Sequence, residues 1–150
     1  MNVECKFRKL TDKGIRRENI CGRQFLTVEP EVLRLLAEEA FHDLSFYLRP
    51  GHLDELAAIA ADPKAADNER FVCSALIKNA VIAAEGFLPL CQDTGTATVF
   101  AWRGERVLTG GEDERLLTDG IAAAWRNNSL RYSQVAPTSM FEEVNTGNNL

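Results

Sequence analysis

The stretch PEVLRLLAEEAFHDLSFYL, residues 30–48, sets the folding pattern of this chain. Its apolar residues recur at spacings of three and four, as on one face of an α-helix, and its leading proline suits a first helical turn. Arg49-Pro50-Gly51 ends this helix, and a shorter one is predicted over 52–61. A third helix is predicted over 68–85, with Gly86 as its left-handed cap. Its apolar stripe comprises Phe71, Val72, Ala75, Leu76, Ala80 and Ile82.

The segments outside these helices contain extended structure. Residues 3–28 alternate loosely around a turn at 12–14, and a hairpin is predicted over 97–108. Thr109 and Glu112 have the spacing of a capping box, which predicts a fourth helix to about Asn127. Residues 128–150 indicate loop and extended chain. We therefore expect an α+β fold in which helices dominate beside a small antiparallel sheet.

Composition excludes several classes of protein. The chain has 150 residues, 45 % of them hydrophobic and 26 % charged, which is typical of a soluble globular domain. No apolar run approaches the roughly 20 residues of a membrane span, and the N-terminus lacks the apolar core of a signal peptide. We therefore expect a cytoplasmic protein without a membrane partner.

The charge is unevenly distributed along the chain. The net charge is −5, yet residues 1–23 contain seven basic and three acidic residues, a net of +4. A basic segment can contact nucleic acid, or it can be a solvated face. Because the rest of the chain is acidic and would repel a polyanion, we expect no nucleic-acid partner.

The four cysteines, without a secretory signal, indicate reduced thiols and not a disulfide framework. Their spacings match no zinc-binding pattern. Each is first interpreted as a small buried hydrophobe. They are Cys5, Cys21, Cys73 and Cys91.

The segment LCQDTGTA, residues 90–97, concentrates reactive groups between a helix cap and a predicted strand. Cys91 is a soft ligand, Gln92 can donate to a carboxylate, and Asp93 can act as a general base. Loops at such boundaries often carry functional sites. The alternative is a capped turn in which Asp93 binds backbone amides and Cys91 is buried.

The longer stretch FLPLCQDTGTA, residues 87–97, resembles the signature of the class I, iron–sulfur-dependent fumarate hydratases and their tartrate dehydratase relatives. Four further stretches are similar to the same family: AFHD with LRP, TGG, NSLRYSQ and EVNTGNNL, at 40–50, 109–111, 128–134 and 143–150. The resemblance covers residues 28–150. It implies that residues 28–150 are the helix-rich N-terminal portion of a class I fumarase alpha-type domain. Residues 1–27 match poorly, and their own pattern predicts an extended arm or hairpin.

The resemblance implies a hydro-lyase that uses a [4Fe–4S] cluster. Cys91 would be a cluster ligand, Gln92 and Asp93 would lie against a small dicarboxylate, and Asp93 would be the candidate acid or base. Arg131 would clamp a substrate carboxylate. Thiolates suit such a cluster, an open iron is a Lewis acid, and a guanidinium fork matches a carboxylate.

The chain departs from the family in its cysteines. Two more cluster ligands are needed, and Cys5, Cys21 and Cys73 do not stand in matching contexts, so their roles stay unassigned. We therefore expect an N-terminal piece of a longer, homodimeric enzyme that converts fumarate to (S)-malate, and an isolated chain that is inactive and binds no stable cluster. The alternatives are a tartrate dehydratase alpha-subunit-like hydro-lyase and a cluster-free structural or interaction domain.

Overall fold

The computed structural model describes residues 7–90, 95–147 and 149. The α+β class is confirmed, and helices account for most of the regular structure. In this part of the chain the elements are β1 (Ile15–Ile20), β2 (Arg23–Val28), α1 (Pro30–Phe46), α2 (Pro50–Ala61), α3 (Asp67–Ala83), β3 (Val107–Leu108), α4 (Asp113–Asn127), β4 (Val135–Pro137) and β5 (Glu143–Asn145).

The described residues fall into two compact units. The first, called the α2–α3 unit, contains Phe7 and residues 43–90. The second unit contains residues 8–42, 95–147 and 149. The division runs through α1, near its C-terminal end. Each of the units is described by itself below.

A hairpin of β1 and β2 opens the second unit. The strands pair antiparallel from Ile15 opposite Val28 to Ile20 opposite Arg23. Their connection is Cys21-Gly22, with φ of 51° and 75°, the left-handed pair that a type I′ turn requires. The prediction of extended structure is confirmed for 15–28, whereas residues 7–10 form no strand.

The predicted hairpin over 97–108 is wrong. Residues 97–102 form no strand, and β3 pairs parallel with β2, Leu26 opposite Val107. The reason is that the second edge of β2 is available: the Leu26 N–H donates to the Arg106 carbonyl at 2.9 Å. The three-stranded sheet therefore has the order β1-β2-β3 and is mixed, whereas β4 and β5 form a separate antiparallel pair.

Helices α1 and α4 pack closely within this unit. A Cβ at Gly120 would overlap the Arg34 carbonyl oxygen and lie 2.8 Å from the Ala37 Cβ, so a glycine is needed at this contact. The rings of Phe41 and Trp125 pack beside it, 5.8 Å apart. The apolar stripe of α4 faces inward, and Leu116, Ile121 and Trp125 are buried.

The predicted capping box at the start of α4 is also wrong. Glu112 is the N-cap residue and makes no side-chain cap. The Thr109 hydroxyl instead accepts a hydrogen bond from Arg103 at 2.7 Å, and the same guanidinium nitrogen donates to Asp113. The buried Thr109 is therefore committed to an arginine and not to the backbone of the helix.

Helices α2 and α3 form the core of the α2–α3 unit. Its buried cluster contains Ala80, Ala83 and Leu90, with Leu48 and Leu53 packed against it. The predicted apolar stripe of α3 is largely wrong, because Phe71 is 72 % exposed and Ile82 50 % exposed. The buried face of α3 uses small residues instead: Cys73, Ala80 and Ala83. Among the described residues, no helix combines the length and the apolar character that crossing a membrane requires.

Candidate functional site

Three of the predicted site residues, Cys91, Gln92 and Asp93, lie outside the described residues, so their roles stay predictions. The fourth, Arg131, is described. The first and last residues of the LCQDTGTA segment, Leu90 and Ala97, are also described. The surroundings of these three positions can therefore be built up from contacts.

The segment begins at a well-anchored residue. Leu90 is buried, and its N–H donates to the Ser45 carbonyl at 2.8 Å. Its side chain belongs to the cluster with Ala80 and Ala83. Both contacts lie within the α2–α3 unit, so the first residue of the segment is held by backbone and side chain together.

The segment ends at a second anchor in the other unit. The Ala97 N–H donates to the main-chain carbonyl of Asn149 at 2.8 Å. Asn149 is fully buried and has a φ of 54°, a left-handed conformation that asparagine tolerates better than most residues. The chain that leaves the segment is therefore tied to the end of the EVNTGNNL stretch.

The side chain of Asn149 binds the stretch that contains Arg131. Its Oδ1 accepts hydrogen bonds from the N–H groups of Ser133 and Gln134, at 3.0 and 3.2 Å. Its Nδ2 donates to the Arg131 carbonyl at 3.4 Å and to the Ser133 hydroxyl at 3.2 Å. Buried amides need such partners, because an unpaired polar group inside a protein is destabilising.

Two neighbours of Asn149 hold the same stretch from its carbonyl side. The Asn145 Nδ2 donates to the Tyr132 carbonyl at 2.8 Å. The Thr146 N–H donates to the Gln134 carbonyl at 2.9 Å. The stretches at 128–134 and 143–150, which the family resemblance singles out separately in the sequence, are thus joined in space.

Arg131 is therefore an exposed residue with a well-held backbone. Its carbonyl also accepts a hydrogen bond from the indole Nε1 of Trp125 at 3.3 Å, and the preceding Leu130 is buried. The residue as a whole is exposed. A guanidinium on a fixed main chain can form two parallel hydrogen bonds to a carboxylate.

The shifted pKa values lie on the helix surfaces. Hydrogen bonds from Arg34 lower the pKa of Glu31 on α1 below its ordinary range, and Arg115 does the same to the pKa of Glu112 at the start of α4. Both are pairs of neighbours three residues apart on exposed helix turns. These shifts are explained by local ion pairs and do not indicate a reactive site.

The described cysteines do not form a metal site. Cys21 is exposed in the β1–β2 turn and Cys73 is buried in α3. Among the described residues, no group of three or more His, Cys, Asp or Glu side chains could hold a metal ion. The chemistry of the described donors therefore fits no complete cluster site, whereas Cys91 has a thiol that could supply one ligand.

The sequence assigned no role to Asn145, Thr146 and Asn149. The available signal was the concentration of asparagine in the EVNTGNNL stretch, since asparagine combines a donor, an acceptor and tolerance of left-handed backbone. Their partners lie in another stretch of the chain, and the sequence did not identify that pairing.

Comparison with known proteins agrees with these motifs. The family model for fumarate hydratase (Fumerase) matches residues 34–150. The chain is 48 % identical over 141 residues to "Fumarate hydratase class I, anaerobic" of Escherichia coli, covering 94 % of this chain and 26 % of that protein. It is 49 % identical over 140 residues to "Fumarate hydratase 2" of Leishmania major, covering 93 % of this chain and 25 % of that protein. The chain thus spans about a quarter of the length of these relatives. It belongs to the fumarate hydratase (Fumerase) family.

Proposed function

We propose that this chain is part of a class I fumarate hydratase, a hydro-lyase that reversibly adds water to fumarate to form (S)-malate. The names of the relatives and the LCQDTGTA segment support this proposal. Because the chain spans about a quarter of those relatives, the activity is proposed for a protein that also has the remaining length. A homodimeric state and a cytoplasmic location stay predictions.

One observation carries the proposal furthest. Asn149 binds Ala97, which ends the LCQDTGTA segment, through its main chain, and it binds the backbone of Arg131 and Ser133 through its side chain. Two stretches that the proposal assigns to substrate binding are therefore linked through a single buried residue. Such a link favours a shared site over two unrelated surface loops.

Each proposed residue has a chemistry that suits its role. The Arg131 guanidinium would bind one carboxylate of the substrate through two parallel hydrogen bonds. The Gln92 amide would donate to the substrate, and the Asp93 carboxylate would take or return a proton beside a carboxylate group. The arginine would also stabilise the negative charge that develops when that proton leaves.

Cys91 is the proposed thiolate ligand of a [4Fe–4S] cluster. When such a cluster is bound, an iron with an open position supplies Lewis-acid polarisation of the carbon–oxygen bond. Clusters of this kind are held by several cysteine thiolates, and the described Cys21 and Cys73 are in no candidate metal group. We therefore propose that other ligands come from outside this chain, and that the 150 residues alone are inactive.

Two alternatives remain proposals of lower rank. A tartrate dehydratase would use the same motif on a substrate with one more hydroxyl group, but the named relatives are fumarate hydratases. A cluster-free interaction domain would not need an arginine stretch ordered by a buried asparagine beside Ala97.

The proposal is tested with a hybrid enzyme in which this chain replaces the matched 141-residue segment of the Escherichia coli relative. Fumarate hydration is measured without oxygen. We expect activity in the hybrid, a fall in kcat of about 10²–10⁴ for Asp93→Asn, and a raised KM for Arg131→Lys. The matched control is Arg126→Lys, at an exposed arginine in the last turn of α4, which should change neither constant.

Each part of the proposal can fail separately. A folded hybrid without hydratase activity would contradict the proposed function. Full turnover by Asp93→Asn would remove that carboxylate from proton transfer. Equal KM values for Arg131→Lys and Arg126→Lys would remove Arg131 from substrate binding.

A further inference from the structure

We propose that Asn149 is a positioning residue for Arg131: its buried amide fixes the backbone of residues 131–134 and so orients the guanidinium toward a substrate carboxylate. The role in substrate binding rests on the proposed function. The ordering of the backbone rests on the hydrogen bonds of Asn149 alone, so the two can be tested apart.

The hydrogen-bonding capacity of the Asn149 side chain is fully used. A carboxamide offers two N–H donors and an oxygen with two lone pairs. The oxygen accepts from the N–H groups of Ser133 and Gln134, and the nitrogen donates to the Arg131 carbonyl and the Ser133 hydroxyl. Because the residue is 0 % exposed, water cannot replace these bonds without an opening of the structure.

The position makes two demands that asparagine meets together. A φ of 54° lies in the left-handed region, which is unfavourable for most residues that have a side chain. Asparagine is one of the few that adopt this region readily. The amide supplies donors and acceptors on the same short side chain. Glycine would meet only the first demand, and aspartate would meet the first and provide only the acceptors.

The consequence for Arg131 is a restricted main chain in a residue that is exposed as a whole. Its carbonyl is held by both the Asn149 amide and the Trp125 indole. Two residues later, the Ser133 N–H is held as well. A group fixed in advance loses less conformational entropy when it binds a ligand, so ordering here would increase affinity for a carboxylate.

Hydrogen exchange of the full 150-residue chain tests the ordering directly. In Asn149→Gly the left-handed backbone is kept at no steric cost and only the amide is lost. The control is Ser129→Gly, because Ser129 also has a positive φ, 53°, and is exposed. We expect exchange at the Ser133 and Gln134 amides to accelerate about tenfold or more in Asn149→Gly, and to be unchanged in Ser129→Gly. Unchanged exchange in Asn149→Gly would overturn the proposal.

A second variant keeps the test decisive if Asn149→Gly folds poorly. Asn149→Asp retains two acceptors for Ser133 and Gln134 and loses the donors to the Arg131 carbonyl. Protection of the Ser133 and Gln134 amides should therefore stay close to that of the wild-type chain, a comparison that does not need the glycine variant. Exchange at both amides about tenfold faster than in wild type would contradict the assigned acceptor role.

Kinetics of the hybrid enzyme test the link to substrate. Asn149→Gly should raise KM for fumarate about tenfold while kcat changes less, because binding of the carboxylate is weakened. Combined with Arg131→Lys, the effects should be less than additive, since both act on one contact. Faster exchange with an unchanged KM would overturn the role toward Arg131. An inactive wild-type hybrid would count against the proposed function and leave the exchange result standing.

Discussion

The main-chain carbonyl of Asn149 accepts the N–H of Ala97 at 2.8 Å, which joins the end of the LCQDTGTA segment to the stretch that holds Arg131. The interaction is between main-chain atoms, whereas the hold on Arg131 depends on a side chain. Substitutions of the Asn149 side chain should therefore remove the hydrogen bond to the Arg131 carbonyl and leave the hydrogen bond from the Ala97 N–H in place.

The contact between α1 and α4 predicts a strong effect of one methyl group. In Gly120→Ala the new Cβ would overlap the Arg34 carbonyl, a main-chain atom that cannot rotate away. We expect a loss of about 2–3 kcal/mol in the free energy of unfolding, measured by urea denaturation. The control is Gly51→Ala in α2, where a Cβ meets nothing within 4 Å and stability should change by less than about 1 kcal/mol. Equal midpoints for the two variants would contradict this packing.

The β1–β2 turn predicts opposite effects of two substitutions at one position. Cys21 has a φ of 51° and precedes Gly22, so Asn would complete the preferred Asn-Gly pair of a type I′ turn. We expect Cys21→Asn to raise stability by about 0.5–1 kcal/mol, and Cys21→Val to lower it by about 1–3 kcal/mol because a branched side chain resists positive φ. Thermal unfolding in the same buffer checks the order. A valine variant as stable as the asparagine variant would rule out this turn geometry.

The sequence predicted the helices well and the strand pairing poorly. Helices α1 to α3 were predicted to within two residues at each end, because their periodicity and the flanking Pro50 and Gly86 are local signals. Helix α4 begins three residues later than the predicted capping box at Thr109 implied. The parallel pairing of Val107 with Leu26 was missed, since it depends on which strand edge is available. The exposure of Phe71 was not predicted, because periodicity identifies an apolar face of a helix without showing whether another element covers it.

For the candidate site, too, the sequence indicated residues but not the contacts between them. The resemblance pointed to Arg131 and to the EVNTGNNL stretch, but it assigned no contact between them. Asn149 and its partners Ser133 and Gln134 are separated in the sequence by the β4–β5 pair. A local sequence pattern does not indicate hydrogen bonds between residues so far apart in the chain. The helices follow from local sequence signals, whereas these polar contacts join residues that are distant in sequence.

The ion pair at the start of α1 predicts a pH dependence with a definite sign. Arg34 donates to Glu31 at 2.6 and 2.9 Å and lowers the pKa of that carboxyl below its ordinary value of 4.5. A carboxyl whose pKa is lowered in the folded state stabilises the fold above its ordinary pKa, and this contribution disappears as the pH falls through the lowered value. Arg34→Gln should raise the pKa of Glu31 toward 4.5, as followed by NMR titration of the carboxyl carbons.

A parallel variant controls for effects on the whole fold. Arg115→Gln should raise the pKa of Glu112, which Arg115 holds low on α4, and leave the pKa of Glu31 unchanged. If either substitution moved both carboxyls equally, the shifts would not come from these local pairs.

The assignment of Cys91 as a cluster ligand is tested most directly by the iron bound per hybrid enzyme after anaerobic reconstitution. The variants are Cys91→Ala and, as matched controls, Cys21→Ala in the exposed turn and Cys73→Ala in the core of the α2–α3 unit. We expect Cys91→Ala to lose the cluster absorbance and most of the iron, while both controls retain the wild-type content. A full complement of iron in Cys91→Ala would contradict the assignment of Cys91 and the role proposed for this chain.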